Sequence, residues 1–159
     1  MYRDGTFVAK HVDPTADEQV QPNGVDLTVE AIFEPIEPGR IGRNGKEVAA
    51  RRERPVEELD DEPPGTYYLE PGAYVARYGE TIEIPDGHVG FVYPRSSLLR
   101  NGCTLDTAVW DAGYRGRGEG LLEVHHDVAI ERGARIAQLV FSEAEHESTY
   151  NGTYQNENI

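Results

Sequence analysis

Two residue types are nearly missing from this chain of 159 residues, which has one cysteine, Cys103, and two lysines, Lys10 and Lys46. A single cysteine excludes an internal disulfide and any cysteine-cluster metal site. Cys103 is expected as a small buried apolar side chain. Cationic charge of any kind is short, since 15 Lys+Arg against 29 Asp+Glu leave a formal net charge of −14. That balance argues against a nucleic-acid partner, because gripping a duplex by its phosphates needs a basic face. No apolar run approaches the ~20 residues of a membrane-crossing helix. The amino terminus MYRDGTFVAK also lacks the basic-then-apolar layout of a secretion signal, so a cytoplasmic location with no membrane partner is expected. Neither a Gly-x-x-x-x-Gly-Lys phosphate loop nor the His-x-Glu with Cys-x-x-Cys set of zinc deaminases is present.

What is there fits one domain (residues 1–159), since the length allows a real core but not two ordinary ones. An apolar fraction of 38% supplies that core, so the acidity is not that of a disordered polyanion. Acidic, lysine-poor chains suit a cytoplasm of molar salt, where the Debye length is about 3 Å and crowded carboxylates repel little. The source reads as a salt-loving microbe; the competing reading is a merely acidic protein.

Gly 17 and Pro 10 are heavy punctuation for a helical protein. Apolar and polar residues alternate through Val25-Asp26-Leu27-Thr28-Val29-Glu30, as in a half-buried strand. The runs 66–69, 73–78, 81–84, 89–93, 121–124 and 136–141 are also strand-like, rich in Val, Ile, Tyr and Phe. Turn signals separate them, among them Pro63-Pro64-Gly65 and Pro85-Asp86-Gly87. An all-β sandwich, jelly roll or barrel follows. One short helix is expected at Pro94–Arg100, with serines able to cap its first turn and Asn101-Gly102 to stop it. The charged segment 40–64 reads as a surface insertion.

Between residues 90 and 140 six arginines balance six acids, so the whole excess of negative charge lies elsewhere. Such a neutral, arginine-rich island suits an anionic small ligand, or equally structural ion pairs between strands. Arg95-Ser96-Ser97 at a helix start offers backbone N–H groups, two hydroxyls and a guanidinium, as a phosphate cradle or as an ordinary serine cap. In Trp110-Asp111-Ala112-Gly113-Tyr114 an acid stands among aromatics that can wall a sugar or base, while the carboxylate accepts from a hydroxyl or activates water. Glu123 lies within an apolar strand, which means an arginine partner or a role in proton transfer. His125-His126 would point to opposite strand faces and make a poor metal site.

Five segments in order resemble the trimeric dUTPase and dCTP deaminase superfamily, especially its archaeal members. They are Gln21–Leu27, Pro94–Leu98, Ala108–Gly116, Gly133–Leu139 and the tail Tyr150–Gln155. The resemblance implies a distorted all-β jelly roll assembled as a homotrimer with active sites between subunits. It implies that Asp111 orients or deprotonates the water attacking the α-phosphorus and that Tyr114 packs under the deoxyribose, beside Trp110. Arg95, Ser96, Ser97 and Gln138 would hold phosphate oxygens. The tail 148–159, with Tyr150, Tyr154 and Gln155, would close over substrate. Mg²⁺ would be carried mainly by the triphosphate, with Asp26 an outer-shell contact through water.

The two branches of that superfamily do different chemistry. Ser96, Arg100 and Glu123 resemble the zinc-independent dCTP deaminase set, with Glu123 as proton shuttle. Val109–Gly116 resembles the dUTPase third motif. Thr153 and Glu157 stand where the deaminase branch usually has lysine and glutamine. The reading favoured is a dUTP diphosphatase that removes dUTP and supplies dUMP for dTMP synthesis. The alternative is a dCTP deaminase, alone or bifunctional.

Overall fold

The computed structural model describes residues 1–57 and 65–159. Pro63-Pro64 of one turn signal and the end of the charged segment 40–64 lie outside the described residues. In chain order the strands are β1 (Val12–Asp13), β2 (Val20–Gln21), β3 (Gly24–Pro35), β4 (Arg40–Gly42), β5 (Gly45–Glu47), β6 (Arg51–Glu53), β7 (Thr66–Leu69) and β8 (Gly72–Tyr78). They continue with β9 (Thr81–Glu83), β10 (His88–Pro94), β11 (Cys103–Asp106), β12 (Arg115–Gly116), β13 (Glu119–Val124), β14 (Val128–Glu131) and β15 (Arg135–Glu143).

The architecture is the expected distorted all-β jelly roll. Its largest sheet runs β10-β15-β3-β8-β13-β11, antiparallel throughout, with β2 and β6 also pairing β3. Smaller sheets β1-β9-β12 and β14-β7 and the hairpin β4-β5 complete the strand set. Strand β3 sits in the middle, so both of its edges are paired, and along its first residues side chains of both faces are buried. Val25, Leu27, Val29 and Ile32 are all fully buried, and Asp26 with them at 2% exposure. The alternation seen in the sequence breaks at a register shift between Val29 and Ala31, where a bulge lets both Ala31 and Ile32 face inward.

Helix content departs from the expectation of one short helix. The expected one is α2 (Ser96–Arg100), but a second, α1 (Gly5–Ala9), precedes the first strand. Asp4 caps α1 by accepting from the Phe7 N–H at 2.8 Å, and Val8 anchors it in the core. One turn with one buried side chain leaves no periodic trace in a sequence. The capping of α2 also differs. Arg95 is its N-cap and makes no side-chain cap bond, so Ser96 and Ser97 occupy the first turn and are exposed. The stop is as expected, with Asn101 capping the end and Gly102 following at φ +76°.

Part of the charged segment is ordered structure. Strands β4 and β5 form a hairpin, and β6 joins the main sheet through the register Phe33↔Glu53 and Pro35↔Arg51. Strand formation is decided there by partners. The Arg51 guanidinium is pinned to Glu119 by bonds of 2.6 and 2.7 Å and lies 4.5 Å over the Phe33 ring. Cys103 is buried, as a small apolar side chain should be.

Candidate active site

Two groups of side chains carry chemistry. The first gathers where β3, β15 and the start of α2 meet. Registers Gln138↔Asp26 and Tyr93↔Gln138 place these residues in one row across β3, β15 and β10. The buried Asp26 carboxylate receives the Arg95 guanidinium at 3.2 Å and that of Arg135 at 3.3 Å through the same Oδ2 atom. Burial pushes the Asp26 carboxyl up, and the two arginines pull it down less strongly. Arg95 also donates to the Arg135 carbonyl at 3.3 Å. Both arginines are about one-third exposed, Arg95 at 31% and Arg135 at 33%. Their inner N–H groups are fixed and the remaining ones are free for an anion, beside the exposed hydroxyls of Ser96 and Ser97.

Sequence reading missed what stiffens this corner. Glu80 is 2% exposed and has no ionic partner among the described residues. Its carboxylate accepts from the Thr28 N–H at 3.0 Å, the Thr28 hydroxyl at 2.7 Å and the Gln19 amide at 2.8 Å. The Gln19 amide also donates to the Asp26 carbonyl at 2.9 Å. The neighbouring Glu18 carbonyl accepts from Arg135. Burial raises the Glu80 carboxyl, opposed by the hydrogen bonds from Thr28 and Gln19. A glutamate just after Tyr78-Gly79 reads in sequence as a solvated turn, so nothing local gave this away.

The second group surrounds an open cavity of about 650 Å³ whose walls include Asp111, Trp110, Tyr114, Tyr150 and Tyr154. Trp110 is held by a two-bond bridge to Gly90, at 2.8 and 3.2 Å, and meets Tyr114 edge-on with ring centroids 5.0 Å apart. The indole lies so close over Gly118 that any Cβ there would overlap the ring. Asp111 itself is exposed. The chain turns directly behind it at Gly113, φ +87°, where the Tyr114 N–H bonds back to the Asp111 carbonyl at 3.2 Å. The turn thus sets a solvated carboxylate beside two buried aromatic faces.

The tail lies against this cavity in its own chain. The Tyr150 N–H donates to the Ala112 carbonyl at 2.7 Å, and the Tyr150 ring meets Tyr114 edge-on at 5.8 Å. Gln155 spends both ends of its amide on backbone, donating to the Gly113 carbonyl at 2.9 Å and accepting from the Arg115 N–H at 3.1 Å. The Tyr114 hydroxyl donates to Glu157 at 2.8 Å. Burial and this acidic neighbour raise the Tyr114 phenol, and burial raises the Glu157 carboxyl. Lys46, Val48, Arg51 and Glu119 also line the cavity, and the sequence had assigned none of them a role there; Glu157 lines it as part of the expected tail.

Other expected residues lie apart from the cavity. Arg95, Ser96, Ser97, Arg100, Gln138, Asp26 and Glu123 do not line it. Glu123 is half-buried on β13, opposite Thr104 and Ala73, and makes no ion pair among the described residues. Its strand ends beside α2, where the His125 N–H donates to the Gly102 carbonyl at 2.9 Å. Arg100 is exposed at the last turn of α2. The neutral island resolves into pairs that all reach outside it. Arg95 and Arg135 meet Asp26, Arg117 meets Glu30, and Glu119 meets Arg51 and Arg77.

Among the described residues no three His, Cys, Asp or Glu side chains gather as a metal site. Asp26 offers its carboxylate to two guanidiniums. The described residues of one chain therefore do not fit a protein-held Mg²⁺.

Comparison with known proteins adds relatives. The family profile of dCTP deaminase-like domains matches residues 4–144. The chain is 58% identical over 157 residues to a Halobacterium salinarum protein named "Probable deoxyuridine 5'-triphosphate nucleotidohydrolase", covering 99% of this chain and 95% of that one. An Aeropyrum pernix protein of the same name is 46% identical over 144 residues, 88% of this chain and 87% of its own. Among solved structures, 2'-deoxycytidine 5'-triphosphate deaminase from Agrobacterium tumefaciens superposes with a TM-score of 0.62 at 19% identity, over 90% of this chain and 48% of that one. A mutant dUTPase of Staphylococcus bacteriophage 80alpha with dUpNHpp gives a TM-score of 0.51 at 18% identity, over 89% and 95%. These two structural likenesses speak to the fold alone.

Proposed function

The chain belongs to the dCTP deaminase-like family, and within it we propose a dUTP diphosphatase that converts dUTP and water to dUMP and diphosphate. The observation that carries this reading is the cavity in which exposed Asp111 stands beside the buried faces of Trp110 and Tyr114. The near full-length identity to a haloarchaeal protein named for dUTP supports it. In this mechanism the base and deoxyribose lie against the aromatic walls, and the Asp111 carboxylate accepts a proton from a water. That oxygen bonds to the α-phosphorus as the bond to the bridging oxygen breaks, and diphosphate leaves with the electron pair. Hydrolysis of so charged a substrate depends on positioning and charge neutralisation more than on covalent help. Arg95, Arg135, Ser96, Ser97 and Gln138 supply the donors, in a homotrimer where one chain's cavity meets another chain's arginine corner. Mg²⁺ arrives as companion of the triphosphate, as part of the substrate.

The deaminase alternative keeps one observation in its favour, the unpaired, half-buried Glu123 close to the α2 corner. No helix of the described residues is long and apolar enough to cross a membrane, and we place the enzyme in the cytoplasm of a salt-adapted cell. Incubation with dUTP and dCTP in molar KCl with Mg²⁺ tests the reading, scored by diphosphate and ammonia release. Diphosphate from dUTP, abolished in Asp111→Asn and retained in Glu123→Gln, is expected. Ammonia from dCTP with dUTP left intact would overturn it.

A further inference from the structure

Where the free cations sit is informative. Among the described residues eight arginines lie within ion-pair distance of a carboxylate. Of the seven cations that pair with none there, Lys10, Arg100, Arg115 and Arg132 are scattered, whereas Arg40, Arg43 and Lys46 share the hairpin β4-β5. With Glu47 opposite Arg40 in register, the hairpin still carries an excess of positive charge, a local anion-attracting patch.

Lys46 turns this patch toward the cavity. It lines the same walls as Asp111 and Tyr114, and its Nζ stands 4.5 Å over the Tyr154 ring. The other cation on those walls, Arg51, is consumed by its two bonds to Glu119. The carboxylates there are Asp111, Glu119 and Glu157. Without Lys46 a polyphosphate would therefore meet an anionic wall. The tail cannot compensate, since residues 148–159 contain no lysine or arginine.

We propose that Lys46 is a phosphate ligand, its ammonium binding the phosphate chain of a nucleotide seated in the Asp111 cavity. The proposal rests on the dUTP reading above and names the cation that completes its site. An exposed cation–π contact is weak and readily exchanged for a charge-assisted bond to phosphate. In molar salt long-range attraction is screened within about 3 Å, so the contribution of Lys46 is that of direct contact. It should therefore survive high salt.

The test is calorimetric binding of deoxyuridine, dUMP and dUpNHpp, in molar KCl with Mg²⁺, to wild-type, Lys46→Ala and Lys46→Arg proteins. Steady-state dUTP kinetics accompany it. Lys46→Ala should weaken dUpNHpp roughly tenfold, the scale of one lost charged hydrogen bond, and leave deoxyuridine unchanged. The dUTP KM should rise roughly tenfold with kcat within about twofold, and Lys46→Arg should recover most of the loss. Equal weakening of deoxyuridine and dUpNHpp would show that Lys46 only packs against Tyr154, and would overturn the proposal. So would unchanged dUpNHpp binding in Lys46→Ala. Wild-type protein with no affinity for dUpNHpp would instead bring down the dUTP reading itself.

Discussion

Glu80 offers the sharpest measurement of how the arginine corner is held. Replacing it by alanine removes the acceptor for the Thr28 N–H, the Thr28 hydroxyl and the Gln19 amide. The hydroxyl can rotate and Gln19 keeps its bond to the Asp26 carbonyl, so the Thr28 N–H is the donor left fully stranded. A stranded buried donor costs about 1–3 kcal/mol, and the vacated volume adds to it. A total near 3 kcal/mol corresponds to a fall in Tm of about 6–12 °C for a domain of this size. Glu80→Gln keeps the shape and one acceptor oxygen but sets an amide N–H₂ against a donor, at a cost of about 1 kcal/mol. The pH dependence distinguishes a buried carboxyl from a mere space-filler. Because burial raises its pKa, the folded state holds the Glu80 proton more tightly than the unfolded chain does. Its contribution to stability is thus largest below the unfolded value of about 4.3 and declines as pH rises through the folded one. Acidification from neutrality toward pH 4 should therefore shift the stability gap in favour of wild type over Glu80→Gln. The assay is denaturant unfolding followed by the fluorescence of Trp110, the one tryptophan, at fixed protein and salt concentration. A flat gap, or one that moves toward the glutamine variant, would refute the reasoning.

Two further outcomes follow from charge and from assembly. Lowering KCl from molar to about 0.1 M lengthens the Debye distance from about 3 to about 10 Å, so the acidic coat should repel itself and the Tm fall, with kcat of the still-folded enzyme nearly constant. Equal Tm in dilute buffer would remove the salt-adaptation argument. Asp111→Asn and Arg95→Ala should each be inactive alone, yet recover about a quarter of wild-type activity when refolded together one to one, if each site joins two chains of a symmetric oligomer. No recovery in the mixed oligomer would place both residues in one chain's site.

The strands were legible because their signals are local. Thr66–Leu69 and the core of 136–141 alternate or run apolar within single elements, and the structure keeps them in β7 and β15. Strands β11 and β14 did not stand out along the chain and take their places from β13 and β7 as partners. The same divide runs through the site. Trp110, Asp111, Tyr114 and Gly113 are neighbours in sequence, so a motif could name them. Lys46 and Tyr154 meet across more than a hundred residues, as do Arg135 and Asp26. Such meetings are products of register and leave no trace along the chain. Charge counting found the neutral island but could not choose between ligand and ion pairs. The structure shows the ion pairs, with Arg95 and Arg135 both paired to Asp26 while one-third exposed.

The layout of the two groups argues for a site shared between chains. One chain's cavity holds the Asp111 carboxylate and aromatic walls but lacks the arginine corner with its two exposed serines. A triphosphate needs both, because a positioned water without charge neutralisation leaves the leaving diphosphate unstabilised. Large apolar side chains are exposed around the corner and beside the cavity mouth, with Tyr93 and Leu99 at 51% and Val109 at 59%. These belong to β10, α2 and the segment leading into Trp110, the elements that carry the two half-sites. Surface apolar groups so placed are economically covered by another copy of the same chain. The association that hides them would then bring an arginine corner to face an Asp111 cavity. On this view the buried Asp26 and Glu80 network keeps one half-site rigid across the subunit boundary, and Lys46 supplies the cation that the tail lacks on the other.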